Sequence, residues 1–385
     1  MSPIVLLRDQ RARELAYQVV CVAAVVGCGW YLLSNALANL AHQDIATGFD
    51  YLGREAGFII SETPIAYEPS DSYGRALLVG LLNTIKVAGL SIVFGTIIGT
   101  LVGIARLSNN PLLSRLMLLY VEALRNVPLL LYLFLWYSVI IFTLPPVKQA
   151  IGLLPGVYVS NSGLAVPAVV WHSGFWAITL AAVLGAAAAF GWQALARRRR
   201  IATGNAKAGW PVAVALFVLP VVVAVLLFEI SVDLDWPVLG KFRLTAGAHL
   251  KPEFVALLLG LTLGTSATVA EIVRGGILAI GRGQREAARA LGLPDSLSMR
   301  LVILPQALRI IVPPLTNVYV TTFKNSSLAI AIGYPDVVMV SNTIMNQTGQ
   351  AIEPIALFML AYLFLSLATS LLMNWYNGRV ALKGR

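Results

Sequence analysis

Long apolar runs separated by short polar segments dominate the chain. A helix needs about 20 apolar residues to cross the hydrocarbon core of a bilayer. Eight runs are long enough, and the seventh carries Pro313 and Pro314 before it meets Lys324. The runs cover residues 15–40, 76–105, 116–142, 173–196, 208–228, 254–280, about 308–324 and 354–378. This pattern predicts an all-α integral membrane protein with about eight transmembrane helices.

The loops between these runs differ in their content of Lys and Arg. The loops on one side, together with both ends of the chain, hold 18 of these residues, whereas the loops on the other side hold six. Positive side chains collect on the cytoplasmic side of membrane proteins. The bias predicts that both termini are cytoplasmic, and one crossing more or fewer would break the alternation.

Composition fits a membrane protein and excludes several other classes. Of the 385 residues, 58% are hydrophobic and 12% are charged, whereas soluble domains average about 25% charged residues. Two cysteines, Cys21 and Cys28, are too few for a secreted disulfide scaffold. The net charge of +10 comes from basic residues beside the apolar runs, so nucleic acid is not an expected partner. The first run is longer than the apolar core of a signal peptide, which favours an uncleaved anchor.

The sequence carries no motif for catalysis or for cofactor binding. His42, His172 and His249 lie far apart, and no cysteine or carboxylate pair stands beside them at metal-ligand spacing. A G-x-x-x-x-G-K-[ST] loop is also missing, so the chain itself is not expected to bind ATP. We expect no catalytic residue, no metal site and no cofactor on this chain.

Small residues recur at helical spacing within two of the runs. Gly95, Gly99 and Gly103 repeat every four residues, and Gly260 and Gly264 do the same. Such faces let helix backbones approach closely in a membrane. Both a sliding contact and static packing fit this pattern.

Charged residues inside the apolar runs are costly unless they pair or line water. Glu122 and Arg125 are three residues apart and can pair on one helix face, and Pro128 predicts a kink just after them. Both a polar pathway lining and an internal ion pair fit these residues. Residues 324–327 (Lys-Asn-Ser-Ser) are a second interruption that fits a broken or re-entrant stretch.

A long charged segment follows the sixth run. Residues 284–291 are strong helix formers, and Gly292 suits a left-handed end to that helix. Asp295 or Ser296 can cap a second short helix, which is expected to end before Pro305. We therefore expect a rigid helix–turn–helix that another protein can bind.

This segment resembles the EAA loop of ATP-binding-cassette (ABC) importer permeases. The family pattern E-A-A-x-x-x-G-x9-I-x-L-P is matched with valine in place of the isoleucine, by Glu286, Ala287, Ala288, Gly292, Val302, Leu304 and Pro305. Residues 80–84, 120–130 and 324–328 are similar to segments of the polar amino-acid permease branch, with Asn325 where that branch commonly has Asp. The resemblance covers about 72–142 and 254–377.

The resemblance implies a type I ABC importer permease fold in a bacterial inner membrane. It implies a permease subunit of an ATP-driven, binding-protein-dependent importer of polar L-amino acids, which forms the translocation pathway by alternating access. The chain looks like the larger permease subunit of a general L-amino-acid transporter. The implied partners are a dimer of ABC ATPases that binds ATP and Mg²⁺, a second permease subunit of a different chain, a periplasmic amino-acid-binding protein and the lipid bilayer. The ATPase is expected to dock on the EAA-like residues.

An amino acid inside the bilayer needs polar partners for its ammonium and carboxylate groups. The candidate pathway residues are Glu122, Arg125, Asn126, Lys324 and Asn325. Two alternatives remain: an ion-coupled secondary amino-acid transporter, which would use intramembrane carboxylates and inverted repeats, and a membrane scaffold without transport.

The same features suggest a domain organisation. Residues 1–71 are expected to hold a cytoplasmic segment, the first transmembrane helix and a periplasmic loop. Residues 72–377 are expected to form the permease domain, with an insertion at about 143–253 that carries two extra helices. Residues 378–385 are expected to be a cytoplasmic tail.

Overall fold

The computed structural model describes residues 10–42, 47–170, 175–203, 210–227, 233–240 and 244–380. The chain divides into two compact units, one of residues Met1–Tyr137 with Ala256–Arg385 and one of residues Ser138–Val255. Expectations about residues 1–9, His172 and residues 381–385 lie outside the described residues.

Helices make up most of the described chain. Their bounds are α1 Gln10–His42, α2 Tyr73–Ala105, α3 Pro111–Arg125, α4 Leu129–Ser138, α5 Phe175–Thr203, α6 Trp210–Leu227, α7 Pro252–Leu278, α8 Arg282–Ala290, α9 Asp295–Ser298, α10 Leu304–Asn325, α11 Val337–Thr348 and α12 Ile352–Val380. Within these residues, seven helices are long and apolar enough to cross a membrane, or eight when the bent pair α3–α4 counts as one span. The predicted helical membrane fold with about eight spans is confirmed.

The predicted third crossing is broken in the middle. α3 ends at Arg125, α4 begins at Leu129, and the chain bends by 100° between them. Pro128 has no N–H for the preceding turn, and its ring disfavours the α conformation at Val127. The structure therefore has a full break where the sequence predicts a kink.

α10 covers the predicted seventh crossing without a break, and the interruption expected at residues 324–327 is a change of helix type. α10 ends at Asn325 and continues as a 3₁₀-helix, Ser326–Ile332, before Gly333 takes a left-handed conformation with a φ of 77°. Asp336 then caps α11, because its carboxylate accepts the Met339 N–H at 2.8 Å. α11 has only 12 residues, which is too short to be recognised as a crossing from hydropathy.

The segment after the sixth crossing differs from the expectation in its second half. Pro294 takes the cap position of α9 without a side-chain hydrogen bond, so neither Asp295 nor Ser296 caps this helix. α9 does not stop before Pro305 but passes through a π-helical turn, Met299–Ile303, into α10. The wider π turn accommodates the proline ring, which in a regular α-helix clashes with the carbonyl four residues earlier. The result is a short helix, a turn and one long continuous helix.

Residues 47–72 pack on the N-terminal part of α2. Tyr51 is buried against Tyr73 in a cluster that also includes residues of α11. The same segment supplies Glu62, whose Oε1 lies 2.5 Å from Nζ of Lys86. This ion pair explains how the second apolar run tolerates a lysine.

The second unit contains short strands that the apolar pattern does not predict. β1, β2, β3 and β8 form one antiparallel sheet in that order, and β4–β5 and β6–β7 form two-stranded pairs. Strands of two to four residues are too short to register as a period-two pattern. Their bounds are β1 Ile151–Leu154, β2 Val157–Ser160, β3 Gly163–Val166, β4 Ala168–Val169, β5 Leu234–Asp235, β6 Val238–Leu239, β7 Leu244–Thr245 and β8 Ala248–Leu250.

The same unit holds the helices α5 and α6, which pack closely on each other. A Cβ atom at Gly185 of α5 would lie 2.9 Å from the carbonyl oxygen of Phe217 in α6. The two helices therefore meet at a point where only glycine allows the backbones to approach so closely.

Candidate functional site

A cavity of about 190 Å³ lies beside the break between α3 and α4. Arg125 and Asn325 supply a guanidinium and an amide to its wall, and Thr265 and Thr268 supply hydroxyls. The remaining wall residues are Leu124, Val127, Leu129, Tyr132, Leu261 and Gly264. The cavity therefore brings α3, α4, α7 and α10 together around a small polar space.

Local contacts hold the bend that shapes this cavity. The Tyr132 hydroxyl of α4 donates a hydrogen bond at 2.7 Å to the carbonyl oxygen of Ala123 in α3. α4 also lies close to α7, because a Cβ atom at Gly260 would lie only 2.6 Å from Leu133 Cδ2. The glycine at 260, noted for its spacing, therefore serves the contact between α7 and α4.

Arg125 brings a cation without a counter-charge to the cavity. In the described part of the chain its guanidinium makes no ion pair, and the predicted pair with Glu122 is not formed. Glu122 instead accepts a hydrogen bond from Nδ2 of Asn126 at 3.1 Å, because Asn126 ends α3 one turn after it. An unpaired guanidinium in a membrane cavity suits the carboxylate of a solute.

Two of the five candidate pathway residues line the cavity, namely Arg125 and Asn325. Glu122, Asn126 and Lys324 are exposed and do not line it. Sequence reasoning misses Thr265 and Thr268. The two threonines are three residues apart, a spacing that places both hydroxyls on one face of a helix.

α2 and α7 pack at backbone distance along the predicted glycine face. A Cβ atom at Gly99 would lie 2.5 Å from the carbonyl oxygen of Ser266, and one at Gly103 would lie 2.6 Å from that of Ala270. No side chain larger than hydrogen fits at these two positions without a shift of the helices. α2 and α7 therefore form one closely packed pair.

An ion cluster joins the C-terminal ends of the same two helices. Oε1 of Glu271 lies 2.5 Å from Nη2 of Arg274, three residues later on the same helix, and the other oxygen binds Arg106. Arg106 stands 165 positions before Glu271, so only the fold reveals this partner. The cluster and the glycine contacts together favour static packing over a sliding contact.

α10 packs on α7 through a buried apolar cluster, and it also contacts the α2–α7 pair through hydroxyl groups. The Thr96 hydroxyl of α2 lies 3.0 Å from the Tyr319 hydroxyl, and the Thr265 hydroxyl of α7 lies 3.1 Å from the Thr322 hydroxyl. The apolar cluster includes Val273 and Ile277 of α7 with Ala307 and Ile311 of α10, and a Cβ atom at Gly276 would clash with the Ile311 side chain.

The EAA-like segment exposes one surface and buries another. Glu286 and Ala287 are exposed, and Leu291 is 79% exposed, whereas Ala288 is buried against the rest of the chain. Of the two alanines expected to face a partner, Ala287 is exposed and Ala288 is buried. Gly292 has a φ of 71°, as predicted for the end of α8.

The end of α8 is fixed by two backbone hydrogen bonds. The N–H of Gly292 donates to the Arg289 carbonyl at 2.9 Å, and the N–H of Leu293 donates to the Ala288 carbonyl at 3.1 Å. Leu304 and Pro305 are the first two residues of α10, and Leu304 is 40% exposed whereas Pro305 is partly buried. We call residues 281–303 the EAA-like loop.

One continuous helical segment extends from the second half of this loop to the cavity. Asp295–Ile332, which we call the arm, runs through α9, the π turn, α10 and the 3₁₀-helix, and carries Asn325. α8 is tied to the arm by a hydrogen bond of 3.2 Å from Nε2 of Gln306 to Oε1 of Gln284. The arm therefore connects the exposed loop to the cavity wall.

Comparisons with known proteins place the chain among transport components. The family described as "Binding-protein-dependent transport system inner membrane component" matches residues 206–382. The chain is 45% identical to the "General L-amino acid transport system permease protein AapQ" of Rhizobium johnstonii over 98% of this chain and 94% of that protein. It is 39% identical to the "Glutamate/glutamine/aspartate/asparagine transport system permease protein BztB" of Rhodobacter capsulatus over 99% of this chain and 96% of that protein. YhdX of Escherichia coli K12 is 45% identical over 97% of this chain and 95% of its own length.

Proposed function

The chain belongs to the binding-protein-dependent transport system inner membrane components and is a permease of the type I fold in an ABC amino-acid importer, and on that premise we propose that polar L-amino acids pass through the cavity beside the α3–α4 break. ATP is hydrolysed by a separate ATPase, and this chain is not an enzyme. It is a multi-pass protein of the inner membrane. This leaves the ion-coupled alternative and the scaffold alternative without support.

The observation that carries the proposal is the continuity of the arm. The arm carries the amide of Asn325 in the cavity wall, and α8 with the exposed Glu286 is joined to the arm by the hydrogen bond between Gln306 and Gln284. α2 and α7 are held together by backbone contact and an ion cluster, and the arm packs on α7 through side chains. We propose that ATP-driven movement of the loop tilts the arm against the α2–α7 pair, which opens and closes the cavity.

The chemistry of the cavity suits an amino acid. The Arg125 guanidinium is placed to bind the carboxylate in two parallel hydrogen bonds, and Asn325 and the threonine hydroxyls offer acceptors to the ammonium group. We assign Glu122, Asn126 and Lys324, which do not line the cavity, to other parts of the translocation pathway.

The partners follow from the same proposal. We place an ABC ATPase dimer, with its ATP and Mg²⁺, on Glu286, Ala287 and Gly292, and beside Leu304 and Pro305 at the start of α10. We place a second, different permease chain across the pathway and a periplasmic amino-acid-binding protein on the opposite face. The excess of Lys and Arg in alternate loops supports cytoplasmic termini.

Uptake by the assembled transporter tests the assignment of the cavity. The chain is reconstituted in proteoliposomes with its ATPase, second permease and binding protein, and uptake of a panel of labelled L-amino acids is measured. Arg125→Ala is expected to lower uptake roughly tenfold or more, since a hydrogen bond to a charged group is worth about 1.5–3 kcal/mol. Arg115→Ala, an exposed site on the same helix that does not line the cavity, is the matched control. Equal uptake by Arg125→Ala and Arg115→Ala would remove Arg125 from the pathway.

A further inference from the structure

A carboxyl group that the proposed pathway does not use is buried just beyond the end of the arm. Asp336 caps α11 and is 0% exposed, and Tyr334 before it is equally buried. The N–H of Asp336 donates to the Tyr334 carbonyl at 2.8 Å. Its own carbonyl oxygen lies 3.0 Å from the position of a Cβ atom at Gly80 of α2. Asp336 is therefore enclosed where the end of the arm, α2 and α11 meet.

The carboxyl of Asp336 makes hydrogen-bond contacts but no ion pair. Oδ1 accepts the Met339 N–H at 2.8 Å, and Oδ2 lies 3.1 Å from the hydroxyl of Tyr362 in α12. Among the described residues, neither oxygen has a Lys or Arg within ion-pair distance. Burial of a carboxylate without a counter-charge is costly, which favours the protonated form of the group.

The titratable groups that surround Asp336 do not supply a positive charge. Tyr362 faces it from α12, Tyr334 precedes it, and Tyr334 also lies near Glu62, which is paired with Lys86 at 2.5 Å. Burial raises the pKa of Asp336 to about 7, even though its hydrogen bonds favour the ionised form. The carboxyl is therefore mostly protonated below that pH and mostly ionised above it.

The hydroxyl hydrogens around Tyr362 can be counted. The Tyr362 hydroxyl also interacts with the hydroxyls of Thr84 in α2 and of Ser326 in the 3₁₀-helix of the arm. Ser326 donates its hydrogen to the Phe323 carbonyl at 2.7 Å, and Thr84 donates its hydrogen to the Gly80 carbonyl at 3.0 Å. Because each hydroxyl carries one hydrogen, neither of them can also donate to Tyr362.

The proton on Asp336 therefore decides where the hydrogen of Tyr362 goes. An ionised carboxylate can only accept, so it takes the Tyr362 hydrogen and leaves none for Ser326. A protonated carboxyl donates to the Tyr362 oxygen instead, and the Tyr362 hydrogen is then available to a second acceptor. Thr84 already accepts the Val337 N–H at 3.2 Å. Ser326 is thus the acceptor that the Tyr362 hydrogen reaches.

We propose that Asp336 is a protonation site that positions Asn325 through Tyr362 and Ser326. With the proton bound, a hydrogen bond from Tyr362 to Ser326 ties the end of the arm to α12, directly beside Asn325 in the cavity wall. With the proton lost, Tyr362 donates to Asp336 and the arm loses this tie. The inference rests on the proposed function, because Asn325 acts on the solute only if it lines the pathway.

The pH profile of uptake by the assembled transporter tests the inference, with the same buffer inside and outside the proteoliposomes. Asp336→Asn cannot ionise, yet it keeps an oxygen for the Met339 N–H and an N–H donor for Tyr362. The measured quantity is wild-type uptake divided by uptake of Asp336→Asn at the same pH, so that the pH dependence of the other subunits cancels. We expect this ratio to fall about fivefold between about pH 6 and about pH 8.

Ser326→Ala tests the same tie from the arm and replaces Asp336→Asn if that variant does not fold. It removes the acceptor, so we expect low uptake across this range and a flat profile relative to the wild type. Ser327→Ala is the matched control, since the Ser327 hydroxyl also donates to a backbone carbonyl, that of Lys324 at 2.7 Å, and does not interact with Tyr362. We expect Ser327→Ala to keep the wild-type profile.

Infrared spectroscopy of the purified full chain reads the proton directly, whichever path the solute takes. We expect the wild type at about pH 6 to show a carbonyl band of a protonated carboxyl that Asp336→Asn lacks, and to lose it by about pH 8. Absence of that band at the lower pH, or a constant uptake ratio across the range, would overturn the inference. A ratio that falls with pH, together with normal uptake by Arg125→Ala, would contradict the proposed cavity and leave the protonation site standing.

Discussion

The hydroxyl of Thr265 in α7 lies 3.1 Å from the hydroxyl of Thr322 in α10, and both side chains are buried. Thr265 also lines the polar cavity. This single hydrogen bond therefore joins the fixed α2–α7 pair to the arm at the wall of the proposed pathway. It is a contact that a tilt of the arm can break without opening the backbone packing of α2 on α7.

Gly292 is expected to be essential for coupling rather than for folding. Its φ of 71° costs an alanine about 1–2 kcal/mol, yet no atom lies within 4 Å of the position of an added Cβ. Gly292→Ala is therefore expected to tilt α8 against the arm and to lower uptake per ATP hydrolysed. Gly281→Ala is the control, because Gly281 is equally open and has a φ of −55°. Equal coupling ratios for the two variants in proteoliposomes would count against this role.

Glu286 is expected to contact the ATPase subunit directly. It is exposed and makes no hydrogen bond within the described residues, so its charge is free for a partner. Glu286→Lys is expected to reduce the amount of ATPase that copurifies with the chain, and Glu286→Gln is expected to reduce it less. The measurement is quantitative copurification at two salt concentrations, since charge pairs weaken with salt. Unchanged recovery of the ATPase with Glu286→Lys would show that the ATPase binds another surface of the chain.

The glycine contact between α2 and α7 is expected to determine stability. Gly99→Ala places a methyl group 2.5 Å from the Ser266 carbonyl oxygen, and overpacking of this kind costs about 1–3 kcal/mol. We expect a lower thermal unfolding midpoint for the purified chain. Gly89→Ala, on the same helix with no atom within 4 Å, is expected to leave the midpoint unchanged or to raise it slightly. A Gly99→Ala variant as stable as Gly89→Ala contradicts the close packing.

The ion cluster of Glu271, Arg274 and Arg106 is also expected to stabilise the folded chain. Glu271→Gln leaves Arg106, whose side chain is 9% exposed, without its counter-charge, and an unsatisfied buried partner costs about 1–3 kcal/mol. The double variant Glu271→Gln/Arg106→Gln is expected to recover part of that loss, because both charges are then removed. The test is a double-mutant comparison of unfolding in a denaturing detergent. If the loss of stability in the double variant equals the sum of the losses in Glu271→Gln and Arg106→Gln, the two residues do not interact.

Hydropathy and local motifs predict much of this protein. The apolar runs identify the spans, because each of these helices must be covered by lipid or by another helix. Gly292 is predictable because a left-handed residue after a helix favours glycine. The pair Glu271–Arg274 is predictable because three-residue spacing places both on one face.

The rest depends on contacts between distant parts of the chain. Arg106 meets Glu271 only after α2 packs on α7, and Thr265 joins Asn325 in one cavity only after α7 packs on α10. Pro305 misleads local reasoning, since the π turn before it lets the helix continue. The strands of the second unit are too short for their alternation to be visible.

The continuity of the arm is tested most directly by distances between spin labels in the assembled transporter, with and without ATP. Cys21 and Cys28, both exposed, are replaced by serine, and labels are attached at Ser296 with Ile330, or at Ser296 with Leu90. We predict that the Ser296–Ile330 distance within the arm stays constant, while the Ser296–Leu90 distance to α2 changes by more than about 2 Å. A change of the Ser296–Ile330 distance as large as that to Leu90 would show that the arm bends at the π turn, and would contradict the account.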